Sequence, residues 1–157
     1  MSPQRTIEEI LTSQAAQRGQ AAALASIRGP VVSYQQLAQS AQTIQERLHG
    51  WGIGRGDRVA IVLPDGAAMA LAFLGVTSTA TAAPLNPAYR AAEFQFLFDD
   101  LKPKALIVDD PSNPAVAVAE TLNIRVIPAS ITDVAAAGFS RTPLVSGELP
   151  DAQDVAL

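Results

Sequence analysis

The chain has 157 residues, of which 48% are hydrophobic and only 17% charged, with a formal net charge of −4 and no cysteine. That length admits one domain with its own core. The acidic balance, with eleven scattered Lys and Arg residues, argues against a nucleic-acid footprint, and the missing cysteines exclude disulfides and thiolate metal sites.

Thr6-Ile7-Glu8-Glu9 is a capping box, so a helix is expected from there to about Arg18, with Ile7, Ile10 and Leu11 on one face and Gly19 as its stop. Ala21 to Ile27 is a candidate strand, Arg28-Gly29-Pro30 a turn, and Val31-Val32 the return strand of a hairpin. Ser33, with Gln36 three residues on, opens a second helix that buries Leu37, Ala41, Ile44 and Leu48. His49, Gly50 and Gly52 mark its end.

Arg58 to Leu63 is apolar on both faces, as a strand between two helical layers must be. Pro64-Asp65-Gly66 turns the chain, and Asp65 is expected to cap a helix running to about Ser78. Thr81 to Leu85 returns as a strand that Pro84 and Pro87 end. A helix over Ala91 to Leu101 buries Phe94, Leu97, Phe98 and Leu101; its cap is weak, because Arg90 has no short acceptor. After Pro103 come a buried strand over Ala105 to Val108, a loop over Pro111 to Pro114, a short helix over Ala115 to Leu122 and a strand over Arg125 to Ile127. Strands and helices alternate, so the fold class is α/β: three layers, a mostly parallel sheet with helices on both faces. Residues 1–128 form this unit, and residues 129–157 read as a loop or linker.

Residues that invite a chemical reading have structural explanations. Gly50, Gly52, Gly54 and Gly56 follow a helix and precede a strand, the reverse of a dinucleotide fingerprint, so they are a helix cap and a tight turn. Asp57 and Arg58 are expected to pair with each other. Asn86 is expected to brace its proline-flanked loop. His49, the only histidine, is read as a lone side chain without the acid or cysteine partner a triad or metal site needs, and its place in a helix's last turn favours a cation. Asp99-Asp100 and Asp109-Asp110 are adjacent pairs whose side chains diverge, and read as solvated element ends. Among Tyr89, Phe94, Phe96 and Phe98, only Phe96 is left to face a partner.

Four stretches carry a family resemblance: V-V-S-Y-Q-Q-L at Val31 to Leu37, G-I-G-R-G-D-R-V-A at Gly52 to Ala60, F-L-G-V from Phe73 leading to A-A-P-L-N-P-A-Y at Ala82 to Tyr89, and D-L-K-P-K-A-L-I-V at Asp100 to Val108. In this order and spacing they resemble the N-terminal region of the adenylate-forming enzymes: acyl-CoA synthetases, coumarate-CoA-type ligases, luciferases and peptide-synthetase adenylation domains. The sequence departs from that pattern at Ser78, where many relatives carry a basic residue, at Thr79-Ala80, where they carry a glycine, and at Arg90, where they often have Thr or Ser.

The resemblance implies a parent enzyme that uses Mg-ATP to activate a carboxylic acid as acyl-AMP and then forms a CoA thioester. The family's Ser/Thr/Gly-rich phosphate loop lies downstream of these stretches, and Asp154-Val155-Ala156-Leu157 resembles the strand that leads to it. The expectation is therefore an N-terminal subdomain, catalytically incomplete by itself. Catalytic, cofactor-binding and metal-binding residues in this chain are each read as none; ATP, Mg and CoA belong to the parent. The expected partner is the remainder of the ligase, or a second copy through exposed apolar surface, with no nucleic acid. The alternative is a stand-alone α/β binding or interaction module.

The N-terminus M-S-P-Q-R-T-I-E-E lacks an apolar signal core, and the apolar run Ala67 to Val76 is too short to span a bilayer, so a cytoplasmic protein is expected. A mean hydropathy of +0.19 suits surface that another unit covers, although an alanine-rich compact domain gives the same value.

Overall fold

The computed structural model describes residues 5–25 and 31–129. The expected turn at Arg28-Gly29-Pro30 and nearly all of the expected linker lie outside these residues. Helix α1 (Ile7–Arg18) is followed by β1 (Ala22–Leu24) and β2 (Val32–Ser33), which pair antiparallel as the expected hairpin. Then come α2 (Tyr34–Gly50), β3 (Arg58–Val62), α3 (Ala67–Thr77), β4 (Thr81–Pro84), α4 (Ala91–Leu101), β5 (Ala105–Val108), α5 (Pro114–Thr121) and β6 (Arg125–Pro128).

Both sequence-read capping boxes form. The Thr6 hydroxyl accepts from Glu9 N–H and the Glu9 carboxylate accepts from Thr6 N–H; Ser33 and Gln36 do the same for α2. The end of α2 is a Schellman turn: Gly52 N–H donates to His49 O and Ile53 N–H to Leu48 O, both at 2.9 Å. Gly52 has φ +71, which only glycine adopts at little cost, and Ile53 and Leu48 are both buried.

Strands β4, β3, β5 and β6 lie in that order and are all parallel, with Ala60 opposite Ala83 on one side and Leu106 on the other. Alternation divides the core into two layers. Val59, Ile61 and Leu63 meet Leu37, Leu48, Leu71 and Val76 from the α2 and α3 side. Ala60 and Val62 join Leu106, Val108, Phe94, Phe98, Val118 and Ala119 on the α4 and α5 side. The three-layer parallel expectation holds.

Some local expectations do not. Ile10 is exposed while Leu11 is buried, because adjacent residues lie about 100° apart around the helix axis and only the Leu11 side meets the core. Ile44, Leu97 and Leu101 are only half-buried. Pro84 is the last residue of β4, which ends there as expected and stops one residue short of Leu85; β4 is an edge strand among the described strands, so proline's missing N–H breaks no ladder. Helix α4 lacks a side-chain acceptor at Arg90, as expected, but Glu93 accepts from Arg90 N–H at 2.8 Å. Ala129, at the start of the expected linker, is buried and donates to Val108 O.

Candidate functional site at the carboxyl edge of the sheet

The strand order places a topological switch between β3 and β5. The chain leaves β3 through α3 toward β4, then crosses back through α4 to β5 on the other side of β3. Because α3 and α5, which follow β3 and β5, cover opposite faces, the loops after β3 and β5 part there, and open α/β sheets bind ligands at such a point. The edge carries Pro64-Asp65-Gly66 after β3, Asn86 after β4 and Asp109-Asp110 after β5.

Asp65 does not cap α3. Gly66 is the N-cap, at φ +150, and no side chain bonds the helix start; Asp65 is exposed. Asn86 does brace its loop, accepting from Ala88 N–H at 2.9 Å. Asp110 accepts from Ser112 Oγ at 2.6 Å and Ser112 N–H at 2.8 Å. The Ser112 hydroxyl and then its N–H hold the Asp110 carboxyl below its ordinary range. Asn86 and Asp110 are therefore turned onto their own backbone. Among the described residues no group of three His, Cys, Asp or Glu converges to hold a metal. These residues do not fit a Mg-nucleotide site.

Asn113 escaped the sequence reading. Its Oδ1 accepts from Ala115 N–H to cap α5, and its Nδ2 donates to Pro87 O at 3.0 Å, tying the loop after β5 to the loop after β4. The signal was present as Asn113-Pro114, an N-cap residue followed by proline at the first helical position.

The glycine-rich stretch sits at the opposite, amino edge. Gly56 has φ +81 within a turn closed by Asp57 N–H to Gly54 O. The expected Asp57–Arg58 pair is replaced. Asp57 pairs with Lys104 Nζ at 2.8 Å and accepts from Gly54 N–H, while Arg58 Nη1 donates to Leu101 O. Adjacent side chains diverge at the start of β3, so Asp57 meets Lys104 just before β5 and Arg58 meets the last carbonyl of α4.

His49 is buried, and its Nε2 has no hydrogen-bond partner. Burial pushes its pKa down, against an opposing pull from the Glu8 carboxylate. The cationic last-turn histidine expected from helix polarity is thus overridden by desolvation, and an acid from α1 lies within electrostatic reach. Asp99 and Asp100 are exposed at the end of α4, with Asp99 accepting from Gln95. Tyr89, Phe94 and Phe98 form an aromatic stack with ring centroids 5.9 and 5.8 Å apart, and Phe96 is 72% exposed.

The sequence profile of the family described as AMP-binding enzyme matches residues 11–155. The chain belongs to the AMP-binding enzyme family. Its similarity is to the N-terminal part of adenylate-forming acyl-CoA ligases, and the stand-alone module is not favoured. An oxalate–CoA ligase of Arabidopsis thaliana is 40% identical over 84 residues, covering 52% of this chain and 16% of the relative. The long-chain-fatty-acid–CoA ligase FadD13 of Mycobacterium tuberculosis is 31% identical over 86 residues, 54% of this chain and 17% of that ligase. The chain therefore spans about a sixth of the length of these two CoA ligases.

Solved structures agree on the fold. A benzoate CoA ligase from Burkholderia xenovorans LB400 superposes with a TM-score of 0.72 at 18% identity, over 80% of this chain and 26% of that one. The N-terminal domain of FACL13 from Mycobacterium tuberculosis gives a TM-score of 0.70 at 22% identity, over 91% and 38%. Among the described residues, no helix of this family member is long and apolar enough to cross a membrane.

Proposed function

We propose that this chain is the N-terminal scaffold of an ATP-dependent acid–thiol ligase. In the parent reaction a carboxylate oxygen attacks the α-phosphorus of ATP, the bond to the β-phosphate oxygen breaks and pyrophosphate leaves. The CoA thiol then attacks the acyl carbon, loses its proton and displaces AMP. Charge builds on phosphate oxygens in the first step, so donors and metal must be fixed around them. In this reading that apparatus belongs to the rest of the ligase. The role of this chain is to hold a rigid parallel sheet against which the adenylate-binding part packs. Residues 129–157 lead toward that part, and a cytoplasmic setting, where ATP and CoA are available, suits the whole.

The observation that carries this reading is the family match across residues 11–155 combined with a carboxyl edge whose Asn86 and Asp110 are committed to their own loops. The test is ATP–pyrophosphate exchange with a panel of carboxylic acids. The 157-residue chain should give none above background, whereas a polypeptide continuing through the phosphate loop should give exchange with at least one acid. Robust exchange by the chain alone would refute the scaffold reading.

A further inference from the structure

We infer that the groove between α1 and α2 is a binding site for a small alkylammonium ion, a primary amine carried on a short aliphatic chain. The groove has a volume of about 250 Å³, below the ~300–1,000 Å³ of pockets that take drug-sized ligands, so its occupant is small. It is separate from the carboxyl edge: its floor reaches Ser78, which stands just before β4 at the amino edge of the sheet. The inference goes beyond the ligase reading and does not depend on it.

The lining holds one carboxylate, Glu8, and no Lys, Arg or His. Gln45 on the floor is only 9% exposed and donates through Nε2 to Ser78 O at 3.4 Å. Gln42, one turn earlier on the exposed rim, donates through Nε2 to Glu46 Oε1 at 3.1 Å. Each amide nitrogen is committed to a protein acceptor, so what each side chain offers a ligand is its carbonyl oxygen. Two amide oxygens and a carboxylate form a set of acceptors, and an ammonium group brings several donors together with the charge opposite to Glu8. An anion finds no cation here, and a neutral hydroxyl brings a single donor. Leu11, Ala15, Ala38 and Ala41 line the same groove and give a methylene chain the apolar contact that a lysine stem finds on protein surfaces. A hard metal ion would leave that contact unused and takes about six or more oxygens.

The reporter is His49, the single histidine, one helical turn beyond Gln45 on α2. n-Pentylamine is titrated into the 157-residue chain at fixed pH and ionic strength, and the imidazole proton signals are followed. A saturable shift in the millimolar range is expected, with n-pentanol and pentanoate each weaker by at least about tenfold, the loss of one charge-assisted contact. No saturable shift, or equal responses to the three compounds, overturns the site. Glu8→Gln should weaken n-pentylamine at least about tenfold with the melting temperature unchanged; unchanged affinity overturns the site. Ala38→Leu, which keeps Glu8 and fills the groove, should abolish binding, and retained binding overturns the groove as its place. Calcium binding more tightly than the amine and displacing it overturns the ammonium assignment. Nα-acetyl-lysinamide binding more tightly than n-pentylamine marks a docking point for a partner's lysine and overturns the small-molecule assignment. None of these outcomes bears on ATP–pyrophosphate exchange, so the ligase reading stands or falls separately.

Discussion

Gly75 of α3 lies directly against Ile44 of α2. A Cβ built on Gly75 would come 2.5 Å from Ile44 Cδ1 and 2.8 Å from Ile44 Cβ, distances that real carbon atoms do not share. The glycine of the Phe73-Leu74-Gly75-Val76 motif is therefore a helix–helix contact, and it sets how closely α2 and α3 sit on the sheet.

Gly75→Ala should destabilise the chain by about 1–3 kcal/mol, the usual penalty for overpacking, despite alanine's better helix propensity. Ile44→Ala in the same chain should recover part of this loss, since it removes Cδ1 and Cγ2 but leaves the Cβ. Chemical denaturation of the single and double variants checks it; equal stability of Gly75→Ala and wild type is the contrary result.

Thr79 is fully buried, and its hydroxyl has no partner. Thr79→Val keeps the shape and removes the unsatisfied group. It should stabilise the fold by about 1 kcal/mol, read as a shift of the urea midpoint at constant slope.

Stability should fall as pH drops below the ordinary histidine range. The pKa of His49 is lowered in the folded chain from 6.5, so near that pH the unfolded chain takes up a proton that the folded chain refuses. The stabilising difference is fully present above about pH 6.5 and is lost progressively as pH falls toward and through the folded value. Thermal melts from pH 7.5 to 5.0 should show this slope flattened in His49→Gln, and an imidazole NMR titration should give a midpoint below that of an exposed histidine.

Asp57 and Lys104 should respond unequally. Lys104 is 55% exposed, and a solvated pair of this kind contributes about 0–1 kcal/mol, so Lys104→Ala should be nearly neutral. Asp57→Ala also strips the acceptor from Gly54 N–H and should cost about 1–2 kcal/mol. Equal effects in denaturant titrations would show that the turn contact carries nothing.

Asp65→Ala should stay within about 0.5 kcal/mol of wild type, because no side chain caps α3. A loss of 1 kcal/mol or more in the same titration would restore Asp65 as the cap.

What the sequence determined by itself was whatever depends on neighbours a few residues apart. Thr6 with Glu9 and Ser33 with Gln36 close their capping boxes within one turn. Val59 to Val62 is apolar on both faces and is buried on both, and the alternation of such strands with helices left a parallel sheet as the consistent solution. Asn86 bonds two residues on, and its role was equally legible. Only the tertiary structure decided the rest. Asp57 chose Lys104 over adjacent Arg58 because the β3–β5 pairing brings Lys104 alongside. His49 stayed neutral-leaning because packing removed its water. Ile10 and Leu11 parted because one helix face meets a neighbour and the other does not. Gly75 acquired its purpose only when Ile44, thirty-one positions earlier in the numbering, was folded against it. Such contacts depend on chain topology, and no local pattern encodes the distance between two helices.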